Sequence, residues 1–134
     1  MGCDLGYMGT RFIATTESMA EPSYKRMVVE SGANDVLLTR AFTGLQTNML
    51  RPSIVAAGLD PENLPERGGI DVATDIAAVG PRRWRDIWSA GHSVSSVTGV
   101  VAVADLVLSV AAEYEYCNGS GRKWERGGCR PPSA

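Results

Sequence analysis

The chain has 134 residues, of which 44% are hydrophobic and 21% charged, with a formal net charge of -2. This suits one modest soluble domain with a core, and falls well short of the roughly 250 residues of a complete (β/α)8 barrel. The near-neutral charge gives no electrostatic case for a nucleic-acid or membrane partner. The longest apolar stretch, 97–112, contains Asp105 and is shorter than the roughly 20 residues of a bilayer span.

The opening stretch, residues 2–12, reads as a short buried strand that ends in a Gly-Thr turn and hands over to a helix. Leu5, Tyr7 and Met8 form its apolar run. Gly9 lacks a Cβ, so an anion can approach the backbone there. The amides of Gly9 and Thr10 and the Thr10 hydroxyl are suited to a phosphate just before a helix. Taken alone, such a turn is more often an ordinary strand-to-helix connection. Asp4 and Arg11 break the apolar start, so no signal peptide is expected.

Thr15-Thr16-Glu17-Ser18 resembles a helix start. Pro22 suits the first position of a helix over 22–31. Its buried stripe is Tyr24, Met27 and Val28, with Lys25, Arg26 and Glu30 on the solvent side and Gly32 as the stop. Residues 35–39 have the composition of a strand, and 41–44 a turn. Residues 51–58 predict a short helix with Pro52 near its start and Gly58 at its end.

From 59 to 80 the pattern is weak and rich in Pro and Gly, which predicts a loop. Residues 82–88 predict a helix with Trp84, Ile87 and Trp88 on one face. Residues 89–96 are small and polar and read as a loop that lets the backbone lie close to a neighbour or ligand. A final helix is predicted over about 100–116. Val100, Val103, Ala104, Val107, Val110, Ala111 and Tyr114 form its apolar face. The composition beyond Cys117 predicts a disordered tail. Cys3, Cys117 and Cys129 are odd in number and lack a Cys-x-x-Cys spacing, which suits a reducing cytoplasm better than a disulfide framework or zinc site.

Met8-Gly9-Thr10-Arg11-Phe12, the run from Thr39 to Gly58, Leu59-Asp60-Pro61 and Trp84 to Gly91 together resemble, in order, the C-terminal part of nitronate monooxygenases, formerly 2-nitropropane dioxygenases. The resemblance covers about 2–116. It implies an α/β fold: the last strand of an FMN-binding TIM (β/α)8 barrel plus an appended, mostly helical region, mainly helical as a free fragment. Residues 1–116 are then the barrel-like portion and 117–134 the tail. The implied enzyme oxidises alkyl nitronates with O2 to a carbonyl compound and nitrite, with FMN as cofactor and no metal.

On the same resemblance, Gly9 and Thr10, with Met8 beside them, bind the FMN phosphate, and Gly91 and His92 lie near the flavin or substrate. The family's base histidine and the glycine-rich half of the phosphate site are expected upstream of Met1, so the chain is expected to be a fragment with no catalytic residue of its own. His92 stands where relatives more often have glutamine, and 67–81 and the tail do not follow the family. The Gly-Thr-Arg-Phe turn is shared with related FMN barrels such as the flavin-type enoyl-acyl-carrier-protein reductases and NADH:quinone reductases. The expected partners are a small nitronate and O2, with no nucleic acid and no membrane, in the cytoplasm. Bland readings stand beside these: Arg11 in an ion pair, His92 as a polar loop residue, Trp84 and Trp88 as packing anchors, and Phe42 and Met49 as core.

Overall fold

A computed structural model describes residues 6–65 and 85–119. The helices are α1 (Thr10–Ile13), α2 (Pro22–Glu30), α3 (Arg51–Ala56) and α4 (Val103–Gly119); the strands are β1 (Val36–Thr39) and β2 (Thr47–Leu50). Two 3-10 turns, Ala33–Asp35 and His92–Ser96, complete the set. The described part is thus mixed helix and strand.

β1 and β2 form an antiparallel hairpin in the register Val36 to Leu50 and Thr39 to Thr47. Its turn is closed by Gly44 N–H on Arg40 O at 2.9 Å, with Gly44 at φ 75°, a left-handed conformation that glycine adopts without strain. β2 is not evident in the sequence, since Asn48 is a poor strand former and no two-residue turn signal precedes it. Its other edge is taken by the segment 87–89. Met49 forms an antiparallel bridge with Ser89, and Leu50 N–H donates to Trp88 O at 2.8 Å.

That pairing corrects the helix predicted over 82–88 at residues 85–88; residues 82–84 lie outside the described residues. Residues 85 and 86 form a turn and Ile87 and Ser89 sit in bridges; Trp84 lies outside the described residues. Ile87 and Trp88 are neighbours in extended chain, so they point to opposite faces. Both faces are covered, so both residues are apolar, and the spacing imitates a helical stripe.

The alternation sorts the core into two clusters. Leu50, with Val36 and Trp88 beside it, packs with Ala14, Val28, Ala90, Val94 and Val97. Met49 packs with Ile54 and Ile87 on the other side, with Leu37 and Phe42 against it. Ser53 links the two. Its Oγ is buried, donates to Leu50 O at 2.7 Å and accepts from Trp88 N–H at 3.0 Å.

α2 begins with Pro22 in its first turn and buries Val28, as predicted. Tyr24 stacks on Trp88, ring centroids 4.9 Å apart, and its hydroxyl donates to Ser89 O. Lys25, however, does not simply face solvent. Its Nζ donates to Thr15 O at 2.6 Å. The helix expected to start near Thr15 is also absent, because the backbone there is already paired: Thr15 bridges Val101 in parallel and Thr16 N–H donates to Val101 O at 2.9 Å. The Glu17 carboxylate instead caps α4, accepting from Val103 N–H at 3.0 and 3.1 Å. α3 ends as expected: Gly58, at φ 78°, donates to Val55 O.

Two further expectations are corrected. Gly6 to Gly9 form no strand, and Tyr7 is fully exposed; Leu5 and the residues before it lie outside the described residues. An isolated strand has no neighbour to satisfy its backbone groups, and the described residues supply none here. α4 runs on through Cys117 to Gly119 rather than ending at 116, and the tail from 120 lies outside the described residues. The predicted apolar face of α4 exists, but among the described side chains of the helix only Leu106, a residue not assigned to that face, is buried. Val107 and Tyr114 are exposed, and with Gly6, Tyr7, Met8 and Phe12 they line a groove of about 660 Å³.

Candidate functional site

The Gly-Thr turn hands over to α1 at Thr10, where the sequence places the change. α1 is a single turn, so its macrodipole adds little; any anion there depends on individual donors. Gly9 has φ -119° and ψ -51°, which other residues adopt freely. A Cβ on Gly9 would meet no atom within 4 Å. The glycine is therefore demanded neither by its conformation nor by its neighbours, and the space beside it is open. Among the described residues no hydrogen-bond acceptor is found for the amides of Gly9 and Thr10.

Thr10 behaves differently. Its residue surface is 7% exposed, and its Oγ1 accepts from Gly91 N–H at 2.9 Å. This bond spans 81 residues and brings together the two stretches the sequence marks, the Gly9-Thr10 turn and the Gly91-His92 loop. The loop is a 3-10 turn over His92–Ser96, closed by Val94 N–H on Gly91 O at 3.0 Å and anchored by buried Val94 in the first core cluster.

His92 itself is exposed. Met8 lies on the groove beside α4. Arg11 takes the structural role: its Nη1 lies 3.7 Å from Glu113 Oε2 and ties α1 to α4. Phe42, Met49 and Trp88 serve packing, as the bland readings hold.

The arrangement offers two backbone amides, one hydroxyl and open space beside a residue with no side chain. That donor set is of the kind that suits a phosphate, which offers only hydrogen-bond acceptors. Among the described residues no group of three or more His, Cys, Asp or Glu could hold a metal ion. No described helix is long and apolar enough to cross a membrane. What sequence reasoning missed is the partnership of Thr10 with Gly91. A glycine inside a run of small residues was the available signal, but its partner 81 residues away was not readable.

No protein-family model matches the chain, and no curated protein matches it. Among solved structures, the chain is similar to the M276A mutant of FabK from Thermotoga maritima, with a TM-score of 0.54 and 20% identity. The match covers 84% of this chain and 35% of that one, so the chain spans about a third of the length of the FabK chain. At this identity the likeness concerns the fold: the chain is built like a part of FabK.

Proposed function

We propose that this chain is the C-terminal part of an FMN-dependent oxidoreductase, with Gly9 and Thr10 holding the flavin phosphate. The observation that carries the reading is the 2.9 Å bond from Gly91 to Thr10. It joins, in a FabK-like fold, the two stretches that the resemblance assigns to the cofactor. The amides of Gly9 and Thr10 and the Thr10 hydroxyl bind phosphate oxygens. The turn after Gly91 lies against them and helps to close the site. Bound FMN supplies the redox chemistry.

Within that class, the ordered motifs from Met8 to Gly91 support a nitronate monooxygenase, which takes alkyl nitronates and O2 to carbonyl compounds and nitrite. The likeness to FabK favours a second reading, a flavin-type enoyl-acyl-carrier-protein reductase. The test joins this sequence to the remainder of a barrel and assays the yellow protein. Nitrite release from propionate 3-nitronate supports the first reading, and rapid NADH oxidation without nitronate turnover supports the second. A protein that folds but cannot be reconstituted with FMN overturns both. The 134 residues alone are expected to bind FMN weakly and to show no oxidase activity, because they provide half of a phosphate site. Nitronate-dependent O2 uptake by them would contradict this.

A further inference from the structure

We infer that Gly91 is a positioning residue whose amide orients the Thr10 hydroxyl as a hydrogen-bond donor toward a phosphate. The inference rests on the flavin reading above. A hydroxyl offers one proton and two lone pairs. Gly91 N–H, 2.9 Å from Thr10 Oγ1, occupies the acceptor side. The proton is left to donate, and among the described residues no acceptor for it is found. Thr10 is 7% exposed, so that proton is held in a largely buried position, one residue along from Gly9, where an added Cβ would meet nothing within 4 Å. A phosphate dianion has only acceptors to offer, and a charge-assisted bond from such a donor is among the stronger ones available.

The identity of residue 91 follows from the same contact. Its φ of -79° and ψ of 168° suit any residue. A Cβ there would lie 3.3 Å from Thr10 Oγ1, tighter than ordinary contact. Glycine is thus favoured by close approach to Thr10 and not by backbone conformation. The turn cannot easily retreat, because Gly91 O is held by Val94 N–H and Val94 is fully buried in the core.

The test joins this sequence to the remainder of a barrel and titrates the isotope-labelled protein with FMN, and separately with riboflavin, read by the amide resonances of Thr10 and Gly91. FMN is expected to shift both, and riboflavin to shift neither. Gly91→Ala is expected to weaken FMN binding about tenfold while circular dichroism stays that of the parent. Added to Thr10→Val, it is expected to cost nothing more. Parent-like FMN affinity in Gly91→Ala overturns the positioning role and leaves the flavin reading intact. Absence of any FMN-dependent shift in the parent overturns both. If Gly91→Ala fails to fold, Thr10→Val and Thr10→Ser decide. The serine variant is expected to keep the Gly91 amide shift and the FMN affinity, and the valine variant to lose both. A valine variant that binds like the parent overturns the inference.

Discussion

The core around Leu50 and the groove beside α4 are built from the same kinds of residue and end in opposite states. In the first, Val28, Leu50 and Val94 come from a helix, a strand and a 3-10 turn and exclude water completely. In the second, Val107 and Tyr114 belong to an apolar helical face and remain exposed. Periodicity specifies which residues share a face. It does not specify that anything covers that face. Exposed contiguous apolar surface of this kind favours association.

The largest effect that sharpens the contrast is expected from Leu50→Ala. Leu50 is fully buried on the central strand, so the substitution removes buried contacts and leaves a cavity. A loss of about 2–5 kcal/mol is expected in urea unfolding, and a loss under 1 kcal/mol would show that the first cluster is not a packed core. Next in size is Ser53→Ala, which leaves the partly buried Trp88 N–H without the Ser53 Oγ acceptor it now has. The expected cost is about 1–3 kcal/mol, measured in the same way. Tyr24→Phe keeps the stacking on Trp88 but leaves Ser89 O without its donor, which is expected to cost about 1 kcal/mol. Burial holds the Tyr24 phenol above its ordinary value of 10.0. Stability is therefore expected to fall as pH rises past that value, because the unfolded chain ionises first, and this slope should disappear in the phenylalanine variant.

Glu17 supplies a smaller, opposite test. Hydrogen bonds from the Thr16 hydroxyl and then the Val103 amide hold its carboxyl below the ordinary 4.5. Its capping of α4 is present above that value and is lost as pH falls through the lowered folded value. Hydrogen exchange at Val103 should accelerate over that range, and Glu17→Gln should remove the pH dependence. The smallest stability change is expected from Tyr114→Ser in the groove, within about 0.5 kcal/mol, accompanied by reduced self-association in sedimentation. A large destabilisation there would mean that the groove is not exposed, and the contrast with the Leu50 core would fail.

The elements that were legible in the sequence carry their signals locally. Pro22 and the Tyr24, Met27, Val28 stripe mark α2; Pro52 and Gly58 bound α3; the apolar run marks β1. The illegible parts are made by distant partners. β2 becomes a strand because β1 and Trp88 pair with its two edges. Ile87 and Trp88 look helical in spacing because a sheet buried on both faces shows no alternation. At the candidate site, Gly9 and Thr10 were legible as a turn with donors, whereas the bond that orients Thr10 depends on Gly91, far along the chain. Lys25 was read as a solvent residue because a backbone carbonyl acceptor leaves no mark in sequence.

The Thr10 to Gly91 bond also sets an order of assembly. The β1–β2 hairpin pairs residues at most 14 apart, from Val36 to Leu50, and can close as soon as those residues emerge. The bond that holds the Thr10 side chain comes from farther along the chain. At about 5–20 residues per second during synthesis, Thr10 waits several seconds for Gly91 to be made, and Thr15 and Glu17 wait longer for Val101 and Val103. The turn at Thr10 is thus held by bonds that form only after the hairpin that follows it has been made. A nascent chain stopped before Gly91 lacks the bond that holds the turn at Thr10.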